Sequence, residues 1–113
     1  MKITVSSTGK NLNSQVDEIF GRCSYFLITE IENKKIKGVE TIENISRDQA
    51  GGVGISVAQM IVEKGVNTVI TGNVGPRALD VLKQFNIEIY QGVGTIKEVI
   101  GKFIEGKLKK IEK

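Results

Sequence analysis

The 113-residue chain contains no histidine, and Cys23 is its only cysteine. One cysteine excludes an intrachain disulfide, and without a second thiol or an imidazole no Cys–His zinc site can assemble. The usual general base is missing as well, which removes Cys–His and Ser–His–Asp catalysis. Tryptophan is absent and aromatics make up 5% of the residues, so the chain lacks the basic face with interleaved aromatics that marks a nucleic-acid binder. No apolar run approaches the roughly 18 residues of a membrane span. Met1 to Val5 leads straight into a strand pattern with no signal-peptide core, so neither a membrane nor nucleic acid is an expected partner, and the cytoplasm is the expected compartment.

What remains is an ordinary apolar share, enough for one core at this length. Much of the net charge of +3 gathers late, in Lys102, Lys107, Lys109, Lys110 and Lys113. The chain therefore reads as one α/β domain over residues 1–106 and a basic C-terminal tail over 107–113.

Ile3 and Val5 alternate with polar residues in a first strand. A polar turn follows. Val16, Ile19 and Phe20 then recur at helical spacing behind Ser14, which predicts a short helical turn ended by Gly21. Cys23 to Ile31 and Ile36 to Ile45 read as two strands joined by a turn too short for a crossover, hence an antiparallel hairpin. A loop from Ser46 to Gly54 leads into a helix near Ile55, with Lys64 and Gly65 suited to its end. Val66 to Thr71 is a buried strand. Gly72 to Gly75 turn it into a second helix, and Pro76 supplies the fixed φ of a first helical position. Ile87 to Tyr90 is a short strand. Thr95 and Glu98 form a capping box ahead of a third helix, which Gly106 closes.

Strand–helix alternation in the second half calls for parallel strands with right-handed crossovers. The expected fold is a ribonuclease-H-like five-stranded mixed sheet covered by helices: a three-strand antiparallel meander, then two strands parallel to the first. A flavodoxin-like doubly wound sheet is the alternative. If the first, third, fourth and fifth strands point the same way, Gly21–Cys23, Gln49–Gly54, Gly72–Pro76 and Gly92–Thr95 converge on one sheet edge with Ser6–Gly9. Three of these pieces open helices, so three sets of unpaired N–H groups are expected to face one region, which suits an anion. Arg22, Arg47 and Arg77 add forked donors. Cys23, beside Arg22 and near these helix starts, has two readings: a thiol of lowered pKa whose available thiolate is a soft ligand for iron or iron–sulfur species, or a small buried hydrophobe. Gly51 to Gly54 do not make a phosphate loop, because no Gly-Lys-Ser/Thr follows. The first strand has no carboxylate, so the metal-holding acids of a ribonuclease-H-like nuclease are missing.

Three segments also carry a resemblance. Phe20-Gly21-Arg22-Cys23-Ser24-Tyr25-Phe26, Gly51-Gly52-Val53-Gly54-Ile55 with Ala58-Gln59, and Gly72-Asn73-Val74-Gly75-Pro76-Arg77-Ala78 resemble, in order, motifs of the dinitrogenase iron–molybdenum cofactor biosynthesis family. The resemblance runs from Met1 to about Ile104. It implies a ribonuclease-H-like fold and a non-catalytic protein that binds an iron–sulfur or iron–molybdenum-type cluster and carries it between assembly and acceptor proteins. Many members have histidines near the loop matched here by Gln49 to Gly52. With none in this chain, Cys23 is the one soft ligand, and a cluster would need an exogenous ligand, oxygen ligands or a second protomer. The residues expected to hold it are Arg22, Cys23, Gly51, Gly52, Gly54, Gly72, Asn73 and Gly75, with Cys23 on the metal. The protein is expected to be a monomer or weak dimer. The alternative function is binding of small phosphorylated metabolites or nucleotides by the same glycine turns, in a regulatory or accessory role.

Overall fold

The structure is a computed structural model that describes residues 1–112. Its elements are β1 (Lys2–Ser7), β2 (Tyr25–Glu32), β3 (Lys35–Glu43), α1 (Val53–Glu63), β4 (Thr68–Thr71), α2 (Pro76–Gln84), β5 (Glu88–Gln91), α3 (Ile96–Ile104) and β6 (Lys109–Lys110). They form one mixed sheet in the order β3-β2-β1-β4-β5-β6. β2 is antiparallel to β1 and β3, while β4 and β5 run parallel to β1 and to each other. This is the expected α/β arrangement with one strand added. The sheet has six strands rather than five because Lys109 and Lys110 pair with Gln91 and Tyr90. The Ile111 N–H donates to Ile89 O at 2.7 Å and Lys110 meets Glu88 at 3.1 Å, so this part of the basic end is drawn onto the sheet. Lys113 lies outside the described residues.

The sheet separates two apolar layers. On one side Phe26, Ile28, Val69 and Ile89 pack against Val57, Ala58 and Ile61 of α1 and Ala78, Leu79 and Leu82 of α2. On the other, Ile3, Val5, Leu27 and Ile70 pack against Ile96, Val99 and Ile100 of α3. Alternation along each strand divides its side chains between the two layers. α1 and α2 thus share one face and α3 has the other.

The expected helical turn at residues 14–20 does not form. The segment crosses the C-terminal ends of the strands instead. Val16 N donates to Gly94 O (2.8 Å), Asp17 N to Ser6 O (2.9 Å) and Phe20 N to Asn73 O (3.0 Å). The Ser6 hydroxyl, buried in the sheet, bonds the Asp17 carbonyl at 2.8 Å and the Thr71 hydroxyl at 2.7 Å. The backbone of this stretch satisfies itself on three distant strand ends rather than on its own preceding turn. Gly72 permits the crossing, since a Cβ there would sit 2.6 Å from Glu18 Cα.

Candidate functional site

The crossing segment and the starts of α1 and α2 enclose a cleft of about 490 Å³. Ile19, Phe20, Gly21 and Arg22 form one wall, Gly52 to Ile55 a second, and Gly75 to Ala78 a third. Among the described residues no carboxylate lines it. Both helices begin without a side-chain cap: the N-cap of α1 is Gly52, in the left-handed region at φ 68°, and that of α2 is Gly75. The first intrahelical bonds run from Ser56 N to Gly52 O and from Leu79 N to Gly75 O, each 3.0 Å. The N–H groups of Val53, Gly54, Ile55, Arg77 and Ala78 precede those bonds, and each belongs to a residue that lines the cleft. The two starts lie close together. A Cβ on Gly54 would come within 3.1 Å of Ala78 Cβ, tighter than ordinary packing. Two positive helix ends and two arginine residues thus border one cavity whose surface is otherwise largely apolar.

Arg22 is exposed and donates from Nη1 to Arg47 O (2.6 Å) and Gln49 O (3.2 Å). Asn44, buried at the end of β3, holds the same segment from beneath. Its amide donates to Gly21 O and Cys23 O, both at 2.9 Å, and its Oδ1 accepts from Ser46 N. Sequence reasoning missed this latch; its signal is an Asn two residues before a Ser, the pattern of an Asx turn.

The sequence-predicted residues divide. Arg22, Gly52, Gly54 and Gly75 meet at the cleft, and Gly51 lies exposed beside it. Gly72 and Asn73 line a separate crevice with Gln91, Gly92 and Val93, beyond Ile19, which borders both. Asn73 fastens the crossing segment through its carbonyl, and its Oδ1 accepts from Val74 N at 2.9 Å. The convergence of three helix starts is corrected to two. α3 lies on the opposite face, and its N-terminus is closed by Thr95 and Glu98.

Cys23 is placed in the core. It is 0% exposed, packs with Phe20 and Phe26, and its thiol donates to Phe20 O at 3.4 Å. Of the two readings of Cys23 the buried one holds, and in place of the lowered pKa of the other, burial pushes the thiol up to about 12. β2 begins at Tyr25 rather than Cys23, and it is Arg22, not the thiol, that lines the cleft. Among the described residues no group of three or more His, Cys, Asp or Glu side chains is placed to hold a metal ion. No helix among them is long and apolar enough to cross a membrane.

Comparison with known proteins gives the geometry a family. The protein MJ0580 of Methanocaldococcus jannaschii is 46% identical over 101 residues, spanning 88% of this chain and 86% of its own. The apo form of the orange protein of Desulfovibrio gigas matches the fold with a TM-score of 0.90 at 27% identity, covering 97% of this chain and 92% of that one. The Thermotoga protein TM1290 matches with a TM-score of 0.83 at 37% identity, covering 96% of this chain and 91% of that one. The family model described as dinitrogenase iron-molybdenum cofactor matches residues 1–106, nearly the whole of this chain, which therefore belongs to that family.

Proposed function

We propose that this protein is a non-catalytic carrier. It holds a preformed anionic metallocluster, of the iron–sulfur or iron–molybdenum type, in the cleft between the starts of α1 and α2, and passes it between assembly and acceptor proteins. One observation carries the reading: two uncapped helix starts and two arginines border one cavity that, among the described residues, no carboxylate lines. Such a site attracts a polyanion through backbone N–H groups and forked cations. It offers no thiolate or imidazole to a bare metal ion, so the cargo arrives with its own ligands in place. Cys23 has no part in the binding.

The same N–H groups would also suit a phosphate. The character of the walls supports the first. The side chains of Ile19, Phe20, Val53, Ile55 and Pro76 give no hydrogen bonds to replace the water of a strongly hydrated oxyanion, whereas a sulfide-rich anion loses less hydration on entering.

Equilibrium dialysis against tetrathiomolybdate and, separately, inorganic pyrophosphate tests this reading. The thioanion is expected to bind, and pyrophosphate at least about tenfold more weakly, a difference of about 1.4 kcal/mol. A folded Cys23→Ala variant is expected to bind the thioanion as the parent does. Iron and sulfide added as separate ions are expected to leave no cluster on the protein. No binding of the thioanion, or loss of binding in Cys23→Ala, would overturn the proposal.

A further inference from the structure

We infer that Arg22 couples occupancy of the cleft to the order of the strap formed by residues 45–51. This rests on the carrier reading above. The strap runs from buried Asn44 to Gly52, the N-cap of α1, so its path leads directly into one of the two helix starts. None of its residues is buried, and Ile45 is 90% exposed. The contacts that hold it in place are polar. The Arg47 guanidinium donates to Ser24 Oγ at 3.1 Å, Gln49 Nε2 to Gly51 O and Ser56 Oγ, and Arg22 Nη1 to two strap carbonyls. Exposed contacts of this kind contribute little each, and a segment without buried apolar anchors opens at low cost.

Arg22 faces both ways. It lines the cleft, and toward the strap it uses only Nη1. A guanidinium has five donors fixed in one plane, so Nε and Nη2 remain for an anion while Nη1 keeps its carbonyls. An anion that takes those donors fixes the plane of the group, and with it the carbonyls of Arg47 and Gln49. Occupancy therefore orders the strap. By linkage the reverse also holds: a partner protein that draws the strap away from Arg22 weakens the grip on the cargo. A lysine at this position keeps the charge but has a single nitrogen, and cannot hold two carbonyls and an anion in one plane.

The test is backbone ¹⁵N relaxation on the full chain, with and without tetrathiomolybdate. In the parent, the heteronuclear NOE values of residues 45–51 are expected to rise on binding. In Arg22→Lys the thioanion still binds, weakened by no more than about tenfold, but the strap values stay at their ligand-free level. Ser24→Ala removes the Arg47 clasp and leaves Arg22 in place, so its strap starts more mobile and still orders on binding. A bound parent with an unchanged strap, or equal ordering in Arg22→Lys, refutes the coupling while leaving the carrier reading intact. Failure of the parent to bind the thioanion ends both.

Discussion

The starts of α2 and α3 solve one physical problem in opposite ways. Each helix leaves N–H groups unpaired at its positive end. At α3 the chain answers with its own side chains: Thr95 Oγ1 accepts from Glu98 N at 3.2 Å, and Glu98 Oε1 accepts from Thr95 N at 3.0 Å. At α2 the N-cap is Gly75, with Pro76 behind it and no side chain turned back on the turn. The same holds for α1 and Gly52. A single chain therefore closes one helix end with a carboxylate and leaves two open, and the two open ones share a cleft. The difference separates a helix start whose donors the chain itself satisfies from two whose donors it leaves open.

Moving the α3 solution to α2 is the strongest test of this contrast. A Cβ at Gly75 would meet nothing within 4 Å, and its φ of −69° suits any residue. Gly75→Asp is expected to raise stability by about 0.5 kcal/mol through capping. Its carboxylate should also occupy the donors, so thioanion affinity measured by dialysis falls by more than about tenfold. Unchanged affinity would mean that the open end is not the seat. The converse change is smaller. Thr95→Ala removes the α3 cap and is expected to cost about 1 kcal/mol, or about 4 °C in a thermal melt, with no effect on thioanion binding. The smallest effect lies in acid. Hydrogen bonds from the Thr95 backbone and then its hydroxyl hold the Glu98 carboxyl below its ordinary value of 4.5. A depressed carboxylate stabilises the fold above its ordinary value, and the contribution is lost as pH falls through the folded one. Acid titration followed by circular dichroism should show a slightly earlier loss of structure in the parent than in Glu98→Gln, relative to each protein's stability at pH 7.

Local chemistry made much of the fold readable. Pro76 at the start of α2, the Thr95–Glu98 box and Gly65 behind α1 each specify a helix boundary through contacts within a few residues. The failures share a nonlocal cause. Val16, Ile19 and Phe20 have helical spacing, yet their segment finds its hydrogen bonds on Asn73 and Gly94, far along the chain. β6 is two lysines with no apolar pattern, and its pairing depends on β5 beside it. At the site, the glycine turns and Arg22 were visible as residue types, and four of the eight predicted positions line the cleft. Which of two neighbours, Arg22 or Cys23, turns outward was not visible, because Asn44 beneath them fixes it. The apolar walls escaped notice because Val53 and Ile55 read equally well as ordinary helix residues.

The close fit of Gly72 under Glu18 has a consequence for the order in which the molecule is made. The cleft draws on residues near positions 20, 53 and 76, and the crossing segment is fully tied down only once β4, β5 and the turns after them are in place. Contacts this distant in sequence must wait for the long loops between them to close. An emerging chain that has completed its hairpin and α1 still has no third wall. The cleft is therefore completed late, after the contacts most distant in sequence have closed.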